Sequence, residues 1–374
     1  MKQRKSSKMY LCMIIMLLLS LNYELNAQVT KSSTARIWEE DKILPTYLPD
    51  APGKNPQFYF GRAYQGAQGR VYPFPSLEFL TDKRVDKSYK FLNLENEYIK
   101  ASLLPEIGGR LFSALDKTDN YDFIYRQTVI RPALVGMMGA WIDGGIEWNV
   151  FHHHRPSAFL PVDYSTQENA DGSVTAWVGE TEIRQEMNWR VGVTIHPGKS
   201  YIEATLVAFN RTPFVNTMLY FANAGVHTND NYQVIFAPST EWVTQHAKAE
   251  YAGWPIAHET YNQANFEKQG KEFGTDGVDI SWWKTNITQV SFFAYNYEDD
   301  WMAGYDHGKE SGTCIVGSHY TEPGKKFWTW GNGPEGVAWD KTLTEKDGPE
   351  LSLWPVVFPI TNLTIAGSSL TKLK

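Results

Sequence analysis

Cysteine is nearly absent. The 374-residue chain has two, and Cys12 falls in a segment that reads as a removable leader, so Cys314 stands alone. No internal disulfide can then staple the mature domain, and stability must come from a hydrophobic core that a chain of this length can build. Basic residues are not in excess: 35 Lys and Arg stand against 42 Asp and Glu, a formal charge of −7. That balance argues against nucleic acid as a partner. Long apolar runs are missing after Leu21, so no stable membrane span is expected once the leader is gone. Amphipathic patterns of three or more helical turns, internal repeats, low-complexity blocks and linkers are missing too.

What is present begins with that leader. Lys2, Arg4, Lys5 and Lys8 precede the apolar run Leu11 to Leu21, and Leu25-Asn26-Ala27 ends just before Gln28. This is the layout of a secretory signal peptide over residues 1–27, implying export to the periplasm or the cell exterior. Residues 28–57 follow, punctuated by Pro45, Pro49, Pro52 and Pro56, and read as an irregular, extended lead-in. From residue 58 to 350, short β-rich runs recur between turn signals: Asn96–Leu104, Ser173–Val178, Arg190–Ile195 and Tyr201–Phe209. Hairpin breaks fall at Ala170-Asp171-Gly172 and at His196-Pro197-Gly198-Lys199. With 14% aromatic residues, 29 Gly and 19 Pro, the composition suits one large all-β antiparallel sandwich.

Chemistry concentrates in Gly136 to Pro156, which holds Asp143-Gly144-Gly145, Glu147, Trp148, His152, His153, His154 and Arg155. If Phe151 to Arg155 is extended, His152 and His154 share one face. Two such histidines can bind metal, act as acid and base, or donate to sugar hydroxyls. Metal is the least favoured use, since no Cys or clear third ligand accompanies them, and no cofactor is expected. A second stretch places His227 among Asn223, Asn229, Asp230 and Asn231, as a general acid–base group or as part of a capped turn. A third, Trp328-Thr329-Trp330-Gly331-Asn332-Gly333, offers aromatic faces for stacking on sugar rings or simply for the core. In Leu104 to Leu111 the paired glycines read as architecture, with Arg110 able to reach a ligand.

These residues carry a resemblance. Pro105–Lys117 (PEIGGRLFSALDK) resembles the early signature of aldose 1-epimerase (galactose mutarotase)-like proteins. GGIEWNVFHHHRPSAFLPVDY and NAGVHTNDNYQVIFAPST are similar to secreted proteins of the domain-of-unknown-function 5107 family, over roughly Phe60 to Glu350. The resemblance implies a galactose mutarotase-like β-supersandwich with a cleft for a sugar or glycan. It further implies that His227 is the general acid, that His152 or His154 contacts substrate, and that a late Glu is the base. Trp148, Trp328, Trp330, Asp143, Asp230, Asn223, Arg110 and Arg155 are then candidate sugar contacts, with Glu147 a candidate catalytic carboxylate. The rival readings are a non-catalytic glycan-binding module, with Trp148, Trp328 and Trp330 stacking, and a glycoside hydrolase or lyase using Asp143 or Glu147.

After Glu350 the text changes character. Leu351–Lys374 has no charge until Lys372, and the triplets of Leu351-Ser352-Leu353-Trp354-Pro355 can be reread one frame over as Ile-Glu-Leu-Met-Ala. Relatives of this kind are expected to continue in that way. Residues 351–374 therefore read as an out-of-frame tail, leaving the sandwich without its last strands and the site without its base.

Overall fold

The alternation read along Tyr201–Phe209 becomes the strand Ile202–Asn210, and the runs near 99, 174 and 190 become Ile99–Leu104, Val174–Glu182 and Met187–Ile195. A computed structural model describes residues 34–357 and 366–373, apart from 55, 58–71, 78, 137–138, 152–153, 156, 184–185, 217–218, 246–249, 262–263 and 296–297. The expected export signal lies outside the described residues. The α-helices among those described are short, Phe266–Phe273 and Pro334–Leu343. None is long and apolar enough to cross a membrane.

The main sheet has 12 antiparallel strands. Its middle runs, side by side, through Arg110–Asp116, Ile146–Val150, Tyr220–His227, Glu350–Val357, Gly324–Thr329 and Val290–Ala294. A five-stranded sheet, Asp163–Glu168 through Ile202–Asn210 with Ala366–Leu373 at its edge, supplies the facing layer. Its turn at Asn169–Ser173 closes because the Asp171 carboxylate accepts the Ser173 N–H at 3.0 Å. A three-stranded sheet of Tyr232–Phe236, Trp301–Asp306 and Ser311–Val316 completes the layer around the core.

Side chains alternate across each strand, and this alternation decides what the core receives. Ile146, Trp148 and Val150 join Tyr220, Ala222, Ala224 and Val226 in the core. Leu351, Leu353, Phe327 and Phe292 continue that face on the neighbouring strands. Against them pack Val174, Ala176 and Val178, then Trp189, Val191, Val193 and Ile195, then Ile202, Ala204 and Leu206 from the facing sheet. The opposite face of the central strands is left to Glu147, Asn149, Asn223, Gly225, His227, Glu350 and Ser352.

Two expectations need correcting. Part of the irregular lead-in is a regular strand, Arg36–Pro49, paired with Leu80–Glu95 from Arg36 opposite Glu95 onward. Its prolines mislead because it is an edge strand, where a missing N–H breaks no ladder on the open side. Likewise, residues 351–374 do contribute strands. Glu350–Val357 sits between Tyr220–His227 and Gly324–Thr329, and Ala366–Leu373 pairs with Ile202–Asn210. At the start of that strand Glu350 and Ser352 alternate with the buried Leu351 and Leu353.

Leu353 is fully buried in that central strand. Leu353→Ala is expected to lower unfolding free energy by about 2–5 kcal/mol, as for other deeply buried leucines. Urea titration measures it, and an unchanged midpoint would remove this segment from the sheet.

Candidate functional site

Register sets the polar face. Glu147 stands opposite Asn223, His227 opposite Glu350, Gly225 opposite Ser352, and Ser352 opposite Trp328. Gly225 leaves room there: a Cβ on it would stand 2.7 Å from an oxygen of Glu350 and push the carboxyl aside, so the carboxyl lies directly over the bare backbone. Ser352 then donates to Glu350 Oε1 at 3.0 Å. Asp143 reaches the same place from a tight loop. Gly144 and Gly145 carry φ of 78° and 69°, in the left-handed region that glycine adopts readily. The chain then turns into Ile146–Val150.

Arg110, Asp143, Glu147 and Glu350 are each at most 3% exposed. Burial of a lone charge is prohibitive, so the group must be compensated from within. Arg110 donates through Nη1 to the carbonyls of Asp143 and Gly144. Its Nε and Nη2 have no hydrogen-bond partner among the described residues. Burial lowers the Arg110 pKa, while the charges of Glu147, Asp143 and Glu350 resist that shift. The Asp143 and Glu350 carboxyls lie within hydrogen-bond reach of each other, and burial raises the pKa of both. Two buried carboxyls this close resist ionising together, which favours a proton shared between them.

Glu147 behaves differently. Burial works to raise its pKa, but the charge and hydrogen bond of His154, together with Arg110, outweigh it and hold the carboxyl well below the usual range. His154 Nδ1 meets Glu147 Oε2 at 3.0 Å, and the Asn223 amide donates to the same oxygen at 3.1 Å. The His154 ring sits edge-on to Trp141 and Phe221, with centroids 6.2 and 5.7 Å away. Trp328 and Trp330 meet edge to face at 5.6 Å and extend this aromatic wall. Trp330 is buried within the wall, and Trp328 is half-buried at its margin.

His227 lies at the end of its strand with its ring 4.2 Å from that of Tyr125. Burial, and then the charges of Lys309 and Arg126, push its pKa down to about 4. The imidazole is therefore neutral at neutral pH. Tyr125 is raised by burial above all, and its hydroxyl donates to the Gly348 carbonyl at 2.7 Å.

Other sequence candidates stand apart. Trp148 is core, its indole donating to the Gly109 carbonyl at 3.1 Å. Arg155 is a clamp. Its guanidinium donates to the carbonyls of Trp148 and Gly108, to Ser157 and to Glu180, and lies 4.4 Å from the Trp189 ring centre. Every guanidinium nitrogen is engaged within the fold and the side chain is buried, so it serves the architecture. Asp230 is exposed in the turn after His227. His152 lies outside the described residues, and the extended run expected around it is broken at Phe151, whose φ is +64°. Sequence reasoning missed Glu350 as a site residue, taking it as the last residue before a tail. The signal was there: Glu350 and Ser352 are spaced to share one strand face.

The architecture is that of the galactose mutarotase-like β-supersandwich. A galactose mutarotase-like protein from Clostridium acetobutylicum superposes with a TM-score of 0.50 at 10% identity, over 76% of this chain and 95% of that one. A TPR-domain containing protein from Parabacteroides distasonis superposes with a TM-score of 0.71 at 20% identity, over 92% of this chain. This chain spans about half of that protein, 54% of its length. The chain belongs to the DUF5107 family, a domain of unknown function, whose sequence model matches residues 67–358.

The depressed His227 pKa has a consequence for stability. Between pH 6.5 and about 4 the unfolded chain binds a proton at this histidine that the folded chain refuses. Stability from this group is thus complete above pH 6.5 and is lost as pH falls toward 4. The full loss amounts to about 3–4 kcal/mol, at roughly 1.4 kcal/mol per pKa unit. Denaturant unfolding of the wild type and His227→Asn at pH 7 and pH 4.5 checks it: the variant is expected to lose less on acidification.

Proposed function

We propose that this protein is an exported carbohydrate-active protein acting at the anomeric end of a sugar by acid–base chemistry. One observation carries the reading. A single sheet face brings together His154, His227, Glu147 and Glu350, with Asp143 and Arg110 beside them, while the other face of the same strands is core. The fold, shared with a galactose mutarotase-like protein, supports it, as does the leader at residues 1–27.

In aldose interconversion an acid protonates the ring oxygen while a base takes the anomeric hydroxyl proton. The bond from C1 to the ring oxygen breaks, an open-chain aldehyde forms, and reclosure on its other face returns both protons. The proton inventory assigns the parts. The Asp143–Glu350 pair holds a proton near neutral pH and is the acid, and neutral His227 is the base. This reverses the role the resemblance implies for His227. Ionised Glu147 orients His154 toward the sugar, and Trp328 supplies a stacking edge.

A binding-only reading draws on Ser352. Rereading the frame after Glu350 places a glutamate at this position, on the same face as Glu350, and the chain has a hydroxyl there. Under that reading the shifted frame left a sugar site without turnover.

Polarimetric relaxation of freshly dissolved α-galactose and α-glucose separates the two. Glu350→Gln and His227→Asn are each expected to slow the enzyme-dependent rate by about 10²–10⁴-fold. Unchanged rates in both variants sink the catalytic assignment. No turnover in the wild type, with turnover appearing in Ser352→Glu, selects the binding-only reading.

A further inference from the structure

Three backbone hydrogen bonds form a closed triangle among Tyr125, Gly145 and Gly225. The Tyr125 N–H donates to the Gly225 carbonyl, the Gly225 N–H to the Gly145 carbonyl, and the Gly145 N–H to the Tyr125 carbonyl, each at 2.8 Å. Tyr125 follows the strand Tyr121–Ile124, Gly145 ends the Asp143 turn, and Gly225 lies two residues before His227. The triangle thus locks the Asp143 turn to the His227 strand through Tyr125.

The buried Tyr125 side chain extends the same junction. A Cβ on Gly144 would stand 2.9 Å from its ring, so the ring packs on bare backbone beside Asp143. The same ring meets the His227 imidazole at 4.2 Å, tilted by 38°. Its hydroxyl donates to the Gly348 carbonyl at 2.7 Å, two residues before Glu350. Packing alone could be met by phenylalanine; the hydroxyl binds the strap that leads into Glu350. That strap is held along its length. The Gln127 amide donates to the Leu343 carbonyl at 2.9 Å, and Arg131 meets Glu345 at 3.2 Å. The Asp347 carboxylate accepts the Thr128 backbone N–H and hydroxyl at 2.6 and 2.7 Å. Tyr125 is the end of this zipper nearest the site.

We propose that Tyr125 is a positioning residue that fixes Glu350 and His227 at the separation acid–base chemistry on one sugar requires. The inference rests on the catalytic reading above. Acid and base must reach the ring oxygen and the anomeric hydroxyl of the same molecule, so a small displacement of either lowers turnover. Glu350 begins its strand and His227 ends its own, and strand ends are where a ladder opens most readily. Tyr125 secures both ends at once, one by its hydroxyl and the other by its ring. It acts through these groups, and losing the hydroxyl alone therefore slows turnover while leaving sugar binding in place.

Polarimetric relaxation of α-galactose and α-glucose over a range of concentrations separates kcat from KM. Tyr125→Phe is expected to lower kcat by about three- to tenfold, the worth of one hydrogen bond, with KM unchanged. Val193→Ala, a core truncation in the facing sheet, controls for stability alone and is expected to leave both constants as they are. Thermal melts identify any variant that is unfolded. Should Tyr125→Phe be one, Asp347→Ala decides in its place, since it frees the same strap from its far end and is expected to lower kcat in the same way. An unchanged kcat in the folded variant overturns the positioning role and leaves the catalytic reading standing. A fall in kcat that Val193→Ala reproduces also overturns it, because lost stability then accounts for the effect. No turnover by the wild type on either sugar overturns the catalytic reading and this inference together.

Discussion

Arg110 stands among three carboxyl groups that the sheet has taken out of water, and most of the polar face depends on that compensation. A lone buried carboxylate would be prohibitively costly, and so would a lone guanidinium. Here one cation faces Glu147, Asp143 and Glu350, and the excess negative charge is relieved by a proton kept between Asp143 and Glu350. Glu147 remains ionised because His154 and Asn223 bind it as well. One set of carboxyls is thereby divided into a protonated pair and an anion.

The arrangement needs close backbone approach at two places. Gly225 lets the Glu350 carboxyl lie over its strand, and the Gly144-Gly145 turn delivers Asp143 to it. Both depend on the central strand Glu350–Val357, which presents Glu350 and Ser352 to the polar side and Leu351 and Leu353 to the core. Site and core are therefore two faces of one strand. Arg155 serves the layer beneath, tying Gly108, Trp148 and Glu180 so that the loop leading from His154 is fixed.

Much of this was legible in advance, for physical reasons. Period-two alternation exposed the strands of the five-stranded sheet, since one face there meets the core and the other meets solvent. Asp143, Glu147, His154, Asn223, Arg110 and His227 drew notice as polar groups in glycine-rich or apolar settings, where such groups need a purpose. Trp148 and Arg155 drew notice for the same cause, yet they serve the fold. Nothing local distinguishes a tryptophan whose indole reaches a buried carbonyl from one that offers a face to a ligand.

Sequence by itself determined the β architecture, the family and the stretches in which polar groups gather. These follow from side-chain period, turn chemistry and motif, all carried by neighbouring residues. Tertiary structure decided that Glu350 joins Asp143, that His227 is neutral, and that Arg36–Pro49 and Glu350–Val357 are strands. Each of those depends on burial or on pairing between distant segments. The charge state of a buried group is set by whatever the fold places around it, and residues 143 and 350 become neighbours only when the sheet closes.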